Sequence, residues 1–138
     1  MPDRNWDELL ARAPVRPFHG RLVRCIPMLS FAAGSPPRYL FTSGAVNRCN
    51  AKGVSCIYMG EDQATAQCEY LSYYTDPEPQ LIYFAQYQTS AIVDLEDKAT
   101  REHFLLGGED FFGSFRLKTE LTPLQLLGAA IDRQRRVT

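Results

Sequence analysis

Two arginines, a tyrosine and a glutamate could act together on one ligand in this sequence: Arg24, Arg48, Tyr58 and Glu69. Two guanidinium groups hold a diphosphate through forked, charge-assisted hydrogen bonds. A tyrosine ring covers a planar base by offset stacking. A carboxylate stabilises the oxocarbenium-like state formed when a glycosidic bond breaks. A dinucleotide with a cationic leaving group, such as NAD, meets all three demands. Its nicotinamide leaves as a neutral base and needs little acid assistance, so this chemistry requires no histidine.

Each of these residues also has an ordinary reading. Arg24 sits in an apolar run, where a charge needs a partner or a ligand, or lies along an edge with its head in water. Arg48, between Cys49 and Asn47 with Asn50 close by, reads alone as a solvated turn arginine. Tyr58 reads alone as core, and Glu69 as a solvated helix carboxylate. Only in combination do they point to one ligand.

Other chemistries lack their motifs. The sequence has no G-x-G-x-x-G, no Walker loop and no G-x-S-x-G elbow. His19 and His103 are far apart and in unremarkable contexts. Cys25, Cys49, Cys56 and Cys68 form no C-x-x-C pair, which argues against structural zinc. They are expected to be small buried hydrophobes. A net charge of −1 over 138 residues advertises no direct contact with nucleic acid. At 45% hydrophobic and 22% charged, the composition is that of one folded domain. No apolar run approaches the ~20 residues of a membrane helix, and the polar start lacks a signal-peptide core. The expected location is the cytoplasm.

The elements that must position these groups follow in order. Trp6 to Arg12 predicts a short helix, with Trp6, Leu9 and Leu10 on one side. Leu22 to Met28 predicts a strand carrying Arg24, and Tyr39 to Thr42 a short one. A polar turn around Asn47, Arg48 and Asn50 leads to a strand from Val54 to Met59. Asp62 is the expected N-cap of a helix running to about Tyr74, with Ala64, Cys68 and Leu71 on its apolar face. Leu81 to Tyr87 and Ala91 to Leu95 predict two strands, read as a hairpin. Thr100 to Leu105 predicts a turn or two of helix, and Gly107 to Gly113 a loop. Thr122-Pro123-Leu124-Gln125 predicts a capped final helix with Leu124, Leu127 and Ile131 as its stripe. The order predicts an α+β fold: a single domain with a mixed twisted sheet and flanking helices.

Four pieces of the chain together resemble the RES domain. They are Leu22-Val23-Arg24, Gly44 to Gly53, Ile57-Tyr58-Met59-Gly60, and Ala64 to Glu69 with its Ala-x-x-Glu ending. Leu121 to Ile131 is similar to a late helix of that family. RES proteins are NAD-degrading toxins of bacterial toxin–antitoxin pairs, with an ADP-ribosyltransferase-like fold and an Xre-type antitoxin that occludes the site. The resemblance implies a RES-like domain over residues 21–138 after an extension over 1–20. It implies Arg24 and Glu69 as catalytic, with Arg48, Asn50 and Tyr58 binding NAD. It implies no cofactor beyond the NAD substrate, and assembly as a toxin–antitoxin complex or homo-oligomer. Cys25 and Cys49 stand where the family has aromatic residues. The family's late serine lies in a strand after the last helix, and this sequence stops at Thr138 before such a strand; Ser114 does not match its position. The expected activity is cleavage of the nicotinamide–ribose bond, by water or phosphate. The alternatives are an impaired relative that binds nucleotide or a partner protein, and a protein ADP-ribosyltransferase.

Overall fold

In the computed structural model, residues 4–29, 46–54, 56–73, 79–115 and 119–134 are described. Among them the order is α1 (Trp6–Ala11), β1 (Arg16–Pro27), α2 (Gln63–Tyr73), β2 (Gln80–Ile92), α3 (Lys98–His103), α4 (Gly108–Phe112) and α5 (Pro123–Gln134). This is an α+β architecture with β1 and β2 paired as a two-stranded antiparallel sheet. The expected strand at Tyr39 to Thr42 lies outside the described residues.

The chain divides into two compact units. The first comprises Met1–Phe18, Gly44–Ser55 and Thr89–Thr138, and the second His19–Ser43 and Cys56–Gln88. The first unit has a core of Trp6, Leu10, Phe104, Leu106, Leu124, Leu127 and Ala130. Trp6 stacks on Phe104 with ring centroids 6.5 Å apart. Burying side chains of this size contributes about 1.5–3 kcal/mol each. Asp7 accepts bonds from Arg133 Nε at 3.3 Å and Nη2 at 3.0 Å, which ties α1 to the end of α5. The α5 start is built as its sequence predicts. Gln125 N donates to Thr122 Oγ1 at 3.3 Å, and Thr122 N donates to Gln125 Oε1 at 2.9 Å.

The second unit buries Val23 and Ile26 of β1 with Ala66 and Tyr70 of α2. Asp62 caps α2, accepting from Thr65 N at 2.8 Å.

Several sequence expectations are corrected. Residues 56–59 form no strand; Gly60 alone makes a bridge, to Val23. The predicted hairpin over 81–95 is replaced by one continuous strand, β2, which ends at Ile92. Exposure alternates through Phe84, Gln86, Gln88 and Ser90, so the polar residues occupy one face and do not break the strand. The predicted loop after Gly107 contains α4, where Asp110 Oδ2 accepts from Gly107 N at 2.8 Å. On α2, Ala64, Cys68 and Leu71 are exposed; Ala66 and Tyr70, one turn apart, form the buried face.

Candidate functional site

Arg24, Tyr58 and Glu69 belong to the second unit, and Arg48 and Asn50 to the first. In the second unit, β1 presents Arg24 beside the segment that ends at Gly60. Val23 N donates to Gly60 O and Gly60 N to Val23 O, both at 2.8 Å. This reciprocal pair aligns the two segments antiparallel. Arg24 Nη1 then donates to the carbonyl oxygen of Tyr58 at 2.7 Å.

The remaining guanidinium chemistry is unusual. Arg24 Nε is buried and, among the described residues, has no hydrogen-bond partner. A buried donor left unpaired costs about 1–3 kcal/mol, and more when it is charged. Such a group is a place where an anionic ligand gains affinity by completing the bond. Glu69 lies on α2, three residues after the buried Ala66 and next to the buried Tyr70, and is itself exposed. Arg24 and Tyr58 are therefore brought together by a hydrogen bond, and Glu69 stands in the same unit at the edge of the buried α2 face.

In the first unit, the turn around Arg48 is held from several sides. Asn47 and Asn50 bridge each other through their backbones. Asn50 is 1% exposed, and its amide donates to Ala51 O at 3.2 Å and Val54 O at 3.3 Å. Gln125 of α5 donates to Asn47 O at 2.9 Å. Gly128 of α5 approaches the carbonyl of Cys49 so closely that a Cβ would overlap it. Arg48 Nη1 donates to Phe111 O at 2.8 Å and Gly113 O at 2.9 Å, and its guanidinium lies 5.4 Å from the Phe115 ring centroid. These bonds use Arg48 and Asn50 to fix local backbone.

Arg48 also lines a cavity of about 210 Å³ within this unit. Glu109, Asp110, Ser114, Phe115 and Glu120 line it too. None of the carboxylates was singled out from the sequence. The only hint was the Gly-rich spacing that brackets Glu109 and Asp110. Ser114 is exposed in that lining.

The histidines take no part in these clusters. His103 Nε2 lies 2.7 Å from Leu9 O, and His19 is exposed on β1. The cysteines correct an expectation: Cys49 and Cys68 are exposed and Cys25 and Cys56 half-buried, so none is a core residue. Burial pushes the Cys25 thiol up from its ordinary value, and Cys25 Sγ donates to Gln80 Oε1 at 3.4 Å. Among the described residues, no group of three or more His, Cys, Asp or Glu side chains could hold a metal ion. No helix among them is long and apolar enough to cross a membrane.

No family model, curated protein or solved structure matches this chain.

Proposed function

We propose that this chain binds NAD and cleaves its nicotinamide–ribose bond, as a RES-type toxin with an ADP-ribosyltransferase-like fold, held in check by an Xre-type antitoxin in the cytoplasm. The observation that carries the reading is the Arg24 guanidinium. One of its nitrogens is fixed to Tyr58 O at 2.7 Å, and its Nε is buried without a partner among the described residues. A fixed cation with an unanswered donor suits a phosphate oxygen.

In this reading Arg24 takes a diphosphate oxygen, the Tyr58 ring lines the nicotinamide, and Glu69 stabilises the ribosyl cation. The C1′–N bond breaks and its electron pair goes to the nicotinamide nitrogen, which leaves neutral. Water adds to C1′ and gives up a proton to Glu69 or solvent; phosphate as acceptor would yield the 1′-phosphate instead. Glu69 thus acts where positive charge develops. Arg48 and Asn50, in the first unit, hold their own turn.

A second reading is a relative that binds nucleotide or a partner protein without turnover. It is favoured by the bonds of Arg48 and Asn50, both directed at backbone. Incubation of the purified chain with NAD, followed by assay of free nicotinamide, separates the two. Release that depends on Glu69 supports cleavage. Binding of NAD by calorimetry without release supports the second reading. Transfer of label from NAD to protein would instead make the chain an ADP-ribosyltransferase.

A further inference from the structure

We infer that Gly60 is a positioning residue that sets the spacing between the strand bearing Arg24 and the helix bearing Glu69; the inference rests on the proposed role of those two side chains. Gly60 is buried and meets both elements at once. Towards β1, its N and O pair with Val23 O and N, each at 2.8 Å. Towards α2, a Cβ on Gly60 would lie 3.0 Å from Ala66 N and 3.2 Å from both Thr65 Cβ and Cγ2. Ala66 N is backbone, bonded to Asp62 O at 3.1 Å, so it moves only with the first turn of the helix. That turn is further fixed by the Asp62 cap on Thr65 N. A Cβ at this position would force the start of α2 to give way by a few tenths of an ångström.

The consequence for the site follows from position along the chain. Arg24 adjoins Val23, and Tyr58, whose carbonyl holds Arg24, lies two residues before Gly60. Glu69 lies three residues after Ala66, about one helical turn on. A side chain at Gly60 therefore displaces α2 while leaving the Arg24–Tyr58 bond, which does not pass through the helix. Binding and catalysis should separate.

Gly60→Ala is compared with the parent chain in nicotinamide release, ADP-ribose affinity and amide hydrogen exchange. Misplacement of a catalytic group by a few tenths of an ångström lowers kcat by about three- to tenfold. ADP-ribose Kd should stay within about threefold, and exchange should quicken in the first turns of α2 but not in α5. If Gly60→Ala does not fold, Gly60→Ala with Thr65→Gly removes two of the three close contacts. That double variant keeps the 3.0 Å approach to Ala66 N, so beside Thr65→Gly alone it should still show a lower kcat and faster α2 exchange. Parental kcat with parental α2 exchange in Gly60→Ala overturns the inference. So does a parallel loss of kcat and affinity in a folded variant, or a double variant that matches Thr65→Gly alone in both kcat and α2 exchange. A parent chain that releases no nicotinamide counts against the cleavage reading alone, and α2 exchange then decides the role of Gly60 by itself.

Discussion

Arg24 Nη1 donates to the carbonyl oxygen of Tyr58 at 2.7 Å, so the tyrosine holds the arginine through its main chain. The same guanidinium keeps a buried Nε without a partner among the described residues. Binding and stacking are therefore separable by mutation. Arg24→Ala is expected to weaken ADP-ribose binding at least about tenfold, the value of ~1.4 kcal/mol, because it removes a charge-assisted donor. Arg24→Lys should not restore it, since an ammonium has no fork. Tyr58→Leu keeps the carbonyl and should leave ADP-ribose affinity near parental. Calorimetry with ADP-ribose checks all three; unchanged affinity in Arg24→Ala would remove the anion from the account.

Arg48 makes a different prediction. Its Nη1 bonds to Phe111 O and Gly113 O hold the end of α4 against the turn. Arg48→Ala should destabilise folding by roughly 2–4 kcal/mol, on the scale of two hydrogen bonds to a charged group after partial exposure is allowed for. Urea unfolding measures this. A variant of parental stability that binds ADP-ribose poorly would make Arg48 a ligand residue instead of a strut.

The acid side of the stability curve is set by capping and paired aspartates. Asp62 is held below its ordinary pKa by bonds from the Thr65 backbone and hydroxyl. Asp94 is lowered chiefly by the Arg16 side chain, and Asp97 chiefly by the Thr100 hydroxyl. A carboxyl with a depressed folded-state pKa stabilises the fold at pH above its unfolded value. That contribution disappears as pH falls through the folded value. The urea midpoint should therefore be level near neutrality and fall as pH drops below about 4. Asp97→Asn should flatten part of that fall. A midpoint independent of pH down to about 3 would contradict this.

The parts of the fold that the sequence disclosed are those with local chemistry. Thr122, Pro123 and Gln125 mark the start of α5, and the cap forms as the spacing implies. Asp62 marks α2 in the same way. The errors arise where long-range contacts decide. Gln86 and Gln88 look like a break between strands, yet their side chains fall on the exposed face of an unbroken β2. Val54 to Met59 has strand-like residues, but among the described residues of this segment backbone pairing with β1 is made by Gly60. The face of α2 was misplaced because burial follows Ala66 and Tyr70, which meet the unit's interior, and not the small apolar Ala64 and Cys68.

The candidate site divides along the same line. Arg24 was suspect from sequence because a charge in an apolar strand needs a partner, and the Tyr58 carbonyl supplies one bond of those it can make. Asn50 and Arg48 carried polar chemistry in a turn. Nothing local indicated that Val54 O, Phe111 O and Gly113 O would be their acceptors. The Gly60 contact with Thr65 and Ala66 was equally hidden, since a close approach depends on the partner element and not on the glycine itself.

The most direct test of the account is free nicotinamide released from NAD by the purified chain, compared with Glu69→Ala. The account predicts release by the parent chain and a fall of at least about a hundredfold in Glu69→Ala, the scale of one lost transition-state electrostatic contact. No release, or equal release by the two proteins, would contradict it.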